Sequence, residues 1–161
     1  MEVLAPVSGT AVPLSEVPDE VFAEGMAGEG GAIVPAASGE AVAPLSGTLV
    51  KLFEGGHAFG IETGDGVELI VHVGLDTIEL RGAGFEKLAT EGDRVEAGQP
   101  IVRFDLEEIQ AAGYDPVTPV VVTNPEDHPV RDLRSGAVRA GEPLFETGEV
   151  SAGDPLFEVA T

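Results

Sequence analysis

The sequence contains no cysteine, which removes disulfides and thiolate zinc sites and gives no support to a cross-linked secreted scaffold. No apolar run approaches the roughly 20 residues that a membrane-spanning helix requires. The start of the chain, Met1 to Ala5, lacks the basic and apolar segments of a signal peptide. A soluble, cytoplasmic protein is expected. Positive charge is scarce: 8 lysines and arginines stand against 29 aspartates and glutamates, a formal net charge of −21. Such a surface repels phosphate backbones and anionic lipid, so nucleic acid and membranes are poor partners. It steers basic protein surfaces towards itself, although acidity also serves solubility alone.

What is present points to β structure. The 161 residues suit one domain, 1–161, large enough to bury a core. The 22 glycines and 12 prolines are spread through the chain and separate short β-branched runs. Those runs are Thr48–Phe53, Gly60–Thr63, Val67–Val73, Pro100–Phe104 and Val117–Thr123, the pattern of a sandwich or barrel. Only Pro18–Phe22 and Leu106–Ala112 read as helices. Asp105 is placed to cap the second and Gly113 to end it. Two phrases recur. Ala5-Pro-Val-Ser-Gly-Thr10 returns as Ala43-Pro-Leu-Ser-Gly-Thr48. Ala97-Gly-Gln-Pro100 returns as Ala140-Gly-Glu-Pro143 and Ala152-Gly-Asp-Pro155. Each reads as a turn feeding a strand, and together they predict a β architecture with two similar halves. The C-terminus offers two versions of a closing strand, Gly136–Glu146 and Gly148–Val159, so 148–161 is expected to form an extra strand or an exposed extension.

The three histidines are the candidates for chemistry near neutral pH. His128, in Asn124-Pro-Glu-Asp-His128-Pro129, suits a surface or satisfied core residue of a turn-rich loop. His57 and His72 lie in two apolar runs joined by Gly64-Asp65-Gly66, a hairpin signal. A two-residue loop at Asp65-Gly66 makes the two histidines diagonal neighbours on one face, about 7–8 Å apart. A two-residue loop one place earlier puts them directly opposite, and a three-residue loop puts them on opposite faces; the turn chemistry favours a two-residue loop. Two imidazoles on one face suit zinc binding with further ligands, acid–base catalysis with a carboxylate, or covalent phosphoryl transfer. Asp76 either orients a ring, meets a cation on a partner, or caps the turn before Thr77. A lysostaphin-type zinc hydrolase needs a His-x-His pair, and none occurs. A biotinyl or lipoyl carrier needs a lysine in a Met-Lys-Met or Asp-Lys-Ala setting. Lys51 and Lys87, the only lysines, are in neither.

Val71-His-Val-Gly-Leu-Asp-Thr77, with Leu80-Arg-Gly-Ala-Gly-Phe85 and Glu91-Gly-Asp-Arg-Val95, resembles the signature of the glucose-type IIA family of the bacterial sugar phosphotransferase system. Val42–Thr48, Gly56–Ile61, Val17–Phe22 and Leu106–Asn124 match other parts of that pattern, so the resemblance runs to about Gly141. It implies a flattened antiparallel β-sandwich, the duplicated hybrid motif, with one or two short helices. It also implies a phosphotransferase component needing no metal or organic cofactor. His72 matches the histidine that takes phosphate from the phosphocarrier HPr and passes it to a cysteine of a IIB domain. His57 matches the supporting histidine. Asp19 and Asp76 would meet partner arginines, inside an apolar ring of Val21, Phe22, Met26, Phe53, Ile70 and Ile78. The membrane is reached only through the permease. The alternative roles are unphosphorylated binding to regulated transporters or metabolic enzymes, or a two-histidine zinc site. The sequence departs from the family at Gly55, where a threonine usually bonds the supporting ring. His57 is therefore expected to be oriented by a backbone carbonyl or water.

Overall fold

The computed structural model describes residues 1–148. Among the described residues fourteen short strands, all paired antiparallel, surround one main core. They are β1 (Glu2–Leu4), β2 (Gly9–Pro13), β3 (Glu29–Pro35), β4 (Gly39–Val42), β5 (Gly47–Leu52), β6 (Ala58–Glu62) and β7 (Glu68–His72), then β8 (Phe85–Lys87), β9 (Arg94–Val95), β10 (Pro100–Phe104), β11 (Thr118–Val122), β12 (Val130–Arg131), β13 (Gly136–Val138) and β14 (Pro143–Thr147). One eight-stranded sheet runs β13-β2-β3-β11-β7-β6-β5-β9, and two small sheets run β1-β14-β12 and β4-β10-β8. The interior is aliphatic, with Phe59, Phe145, Ile33, Leu49, Leu69 and Ile101 among its largest fully buried side chains. Among the described residues no helix is long and apolar enough to cross a membrane.

The strand order reads as a palindrome about the β11–β7 junction, with β2 answering β5 and β3 answering β6. The sequence repeats are the hinges of this pseudo-twofold. Ser8 Oγ accepts the Ala140 amide at 2.9 Å, and Ser46 Oγ accepts the Ala97 amide at 2.8 Å. Gly141 N donates to Ala5 O, and Gly98 N donates to Ala43 O. Across the axis Leu4 N donates to Pro44 O while Val42 N donates to Pro6 O. The glycine of each first phrase opens a strand pressed against its neighbour. A Cβ on Gly9 would lie 2.0 Å from Val34 O, and one on Gly47 would lie 2.4 Å from Glu62 O, distances that only glycine tolerates. Of the two closing-strand candidates, β14 pairs with β1 and β12. The second, at 148–159, lies outside the described residues but for Gly148.

Both expected helices form, with shifted ends. The first, α1, covers Glu20–Ala23, because Asp19 accepts the Val21 amide and holds the preceding residues outside the helix. The second, α2, covers Leu106–Ala111. Asp105 caps it by accepting the Glu108 amide at 3.0 Å, and Gly113 ends it at φ 89°.

Candidate functional site

The β6–β7 hairpin carries the histidines, and its register is not the one favoured by the sequence. Ala58 faces His72 and Glu62 faces Glu68, so the loop has three residues, Gly64-Asp65-Gly66. Gly66 N donates to Thr63 O, and Gly66 is left-handed at φ 93°. This is a type I turn closed by a glycine bulge, which Asn124 clamps by donating to Gly66 O and accepting from Glu68 N. Strict alternation would now put His57 and His72 on opposite faces, yet their ring centroids are 5.3 Å apart. Alternation governs residues inside the ladder. His57 sits at its end: its carbonyl still accepts Val73 N, but the residue before it, Gly56, is left-handed at φ 83°, so extended strand geometry stops there.

The two rings have different surroundings. His72 ends β7 on its outward face with Glu68 and Ile70, partly exposed. Its Nδ1 lies 2.5 Å from Gly74 O. A carbonyl can only accept, so Nδ1 carries the proton and the lone pair of Nε2 is free. Phe22 of α1 meets the His72 ring edge-on at 6.0 Å. Burial lowers the His72 pKa, opposed by the Gly74 bond and by the charges of Asp19 and Asp76. His57 is only 3% exposed, enclosed by Phe53 and Phe85 with centroids at 5.3 and 6.5 Å. Burial, then the proximity of His72, lowers its pKa to about 4, so it is neutral at pH 7.

The buried Nδ1 of His57 has no protein partner. The expected backbone carbonyl is not there, and packing holds the ring. A Cβ on Gly55 would come to 3.4 Å from that nitrogen, so the missing side chain and the unpaired atom are one fact. None of the six apolar ring candidates is a buried core residue, although Phe22 packs against the small cluster of Val17, Ala32, Leu75 and Val117. Met26, Ile78 and Val21 are 71, 57 and 48% exposed, and Phe22, Phe53 and Ile70 are half-buried. Asp76 is exposed and left-handed at φ 58°, with no capping bond from its side chain, whereas Asp19 is a helix cap. His128 is apart from the pair, buried against the hairpin loop, where its Nε2 would lie 3.6 Å from a Cβ on Gly66. Sequence reasoning did not single out Phe85, Gly74 or Thr77 as site residues. Only Gly74 had a local signal, a glycine directly after the His72-Val73 strand end.

A family model for the EIIA 1 component of the phosphoenolpyruvate-dependent sugar phosphotransferase system matches residues 1–128. The chain belongs to this family. It is 44% identical over 143 residues to the glucoside-specific EIICBA component of Staphylococcus carnosus, covering 89% of this chain and 20% of the relative. It is 45% identical over 144 residues to the beta-glucoside-specific EIIBCA component of Bacillus subtilis, covering 88% and 23%. The chain thus spans about a fifth of the length of these curated relatives. The solved structure of the glucose permease IIA from Mycoplasma capricolum superposes with a TM-score of 0.84 at 40% identity, over 90% of this chain and 94% of that one. That match and the sheet pairing establish the family's antiparallel β-sandwich here.

Proposed function

We propose that this chain is the phosphoryl carrier of a cytoplasmic sugar-uptake relay, taking phosphate from phospho-HPr on His72 and passing it to a IIB cysteine. The observation that carries the reading is the His72 bond to Gly74 O, which leaves Nε2 unprotonated on a partly exposed ring. In the first step the lone pair of Nε2 attacks phosphorus, the new N–P bond forms and the donor's N–P bond breaks. In the second, a IIB thiolate attacks, an S–P bond forms and the His72 N–P bond breaks. The Gly74 carbonyl offsets the positive charge that the ring gains while phosphorylated. Neutral His57 supplies an N–H to the phosphoryl oxygens, and the dianion in turn favours that proton. Phe22, Phe53 and Phe85 keep water from the N–P bond. Exposed Val21, Met26 and Ile78, with Asp19 and Asp76, form a contact surface for basic partners that bind briefly.

The relatives' names place B and C components in the same polypeptide as the A component, which supports a IIB partner. Relatives specific for glucoside, glucose and N-acetylglucosamine are about equally similar, at 43–44% identity, so the sugar is chosen elsewhere. A zinc site would draw only two ligands from this pair, and a regulatory role would use the same exposed ring before phosphorylation. Incubation with phosphoenolpyruvate, enzyme I and HPr, followed by intact mass, tests the proposal. One acid-labile phosphoryl group is expected on the wild type and none on His72→Gln. His57→Gln is expected to be labelled yet fail to pass phosphate to a IIB domain. A wild type that gains no mass from a competent donor rules the carrier reading out.

A further inference from the structure

The carbonyl that sets the state of His72 belongs to a turn with two left-handed residues, Gly74 at φ 81° and Asp76 at φ 58°. The second is unfavourable for a residue with a Cβ and persists only if its surroundings hold it. Thr77 is the residue that spans this turn, and it is fully buried. Its Oγ1 donates to Val73 O at 2.6 Å, closing a ring around Gly74, Leu75 and Asp76. Its Cγ2 sits where a Cβ on Gly74 would be 2.5 Å away, so the methyl fills the side of Gly74 that the missing side chain leaves open. Leu75 N donates to Asp115 O, fastening the middle of the turn to the loop before β11.

We infer that Thr77 is a positioning residue for His72. Its hydroxyl holds Val73 O, the turn holds the Gly74 carbonyl on Nδ1, and the Nε2 lone pair is thereby kept free. Thr77 does not touch the reacting atoms. The consequence for phosphate transfer rests on the carrier reading, but the effect on the His72 ring does not. The charged or titratable groups acting on that ring are His57, Asp19 and Asp76, none of which the Thr77 variants alter.

The test is long-range nitrogen NMR of the histidine rings in the wild type, Thr77→Ser, Thr77→Ala and Thr77→Val, with no donor protein present. Wild type and Thr77→Ser are expected to keep His72 with the proton on Nδ1. Thr77→Ala is expected to shift towards the Nε2–H form and to titrate lower, because the bond that raises the His72 pKa is loosened. Phosphorylation, measured separately, should slow about tenfold in Thr77→Ala and less than twofold in Thr77→Ser. Serine and alanine both lose the methyl, so their difference isolates the hydroxyl. Thr77→Val keeps the shape without the donor, replaces alanine if that variant does not fold, and should behave as alanine does. Identical His72 tautomers in Ser, Ala and Val variants overturn the inference, as does a wild type whose His72 proton sits on Nε2. A normal tautomer shift together with an unphosphorylated wild type would remove the carrier reading and leave Thr77's role intact.

Discussion

At the residue scale the site is two imidazoles made unequal by their neighbours. His72 has an acceptor for one nitrogen and carboxylates nearby, while His57 has aromatic walls and an unpaired Nδ1. The lowered pKa of His57 has a consequence for stability. Between about 6.5 and about 4 the unfolded chain holds this proton and the folded chain does not. Protons therefore favour unfolding in that window, and stability falls as pH falls through it, by about 3 kcal/mol in full. Melting curves from pH 7 to 4.5 should show a steeper loss in the wild type than in His57→Gln. Parallel loss in both would disprove the assignment. Gly55→Ser bears on the unpaired nitrogen. Its new Cβ would sit 3.1 Å from Gly82 N and 3.4 Å from Nδ1, so a small backbone shift admits a hydroxyl that can donate to that nitrogen. His57 should then adopt the Nε2–H tautomer alone, visible by the same NMR, and onward transfer to a IIB domain should not slow.

At the element scale the hairpin is set by its turn. The apolar pattern of Val67–Val73 fixed which residues face the core, and Leu69 and Val71 are buried as period two requires. Loop length was not legible, because Gly64-Asp65-Gly66 serves either a two-residue or a three-residue turn. The choice fell to Asn124, 58 residues downstream of Gly66, whose amide bridges the loop and β7. Gly66→Ala tests the left-handed bulge. A methyl there has room, with His128 Nε2 at 3.6 Å, so the cost is conformational alone, about 1–2 kcal/mol. A denaturant midpoint unchanged within error would show that the bulge is not needed. His57 still pairs through its carbonyl with Val73 N, so the contact of the two histidines arises at the very end of the ladder, beside left-handed Gly56, where alternation along an extended strand no longer holds.

At the scale of the whole molecule two similar halves meet through the Leu4–Pro44 and Val42–Pro6 bonds, and Ser8 and Ser46 each tie a turn within its own half. Each hydroxyl accepts one amide of a different turn, Ala140 for Ser8 and Ala97 for Ser46, so Ser8→Ala and Ser46→Ala should each cost about 1 kcal/mol and, sharing no partner, should add in the double variant. Urea titrations of the four proteins check this, and a strong excess in the double would mean that the halves are not independent. The net charge of −21 acts over the same scale through self-repulsion. Raising salt from about 0.1 M to about 1 M shortens the screening length from about 10 Å to about 3 Å. The melting temperature should therefore rise while association with a basic partner weakens. A salt-independent melting temperature would show that repulsion among these acidic groups is negligible.

The amino-acid order alone determined the β class, the paired phrases that become the pseudo-twofold, and the two short helices with the Asp105 cap of the second. Those are local or periodic properties: a glycine where a Cβ collides, an aspartate before a helix, an alternation along a strand. The tertiary structure decided the hairpin register, the enclosure of His57 by Phe53 and Phe85, the burial of His128, and the Gly74–Thr77 turn that governs the His72 proton. Each of these depends on which distant residue supplies an acceptor, a donor or a wall. Such contacts are a property of chain closure, and spacing along the sequence does not contain them.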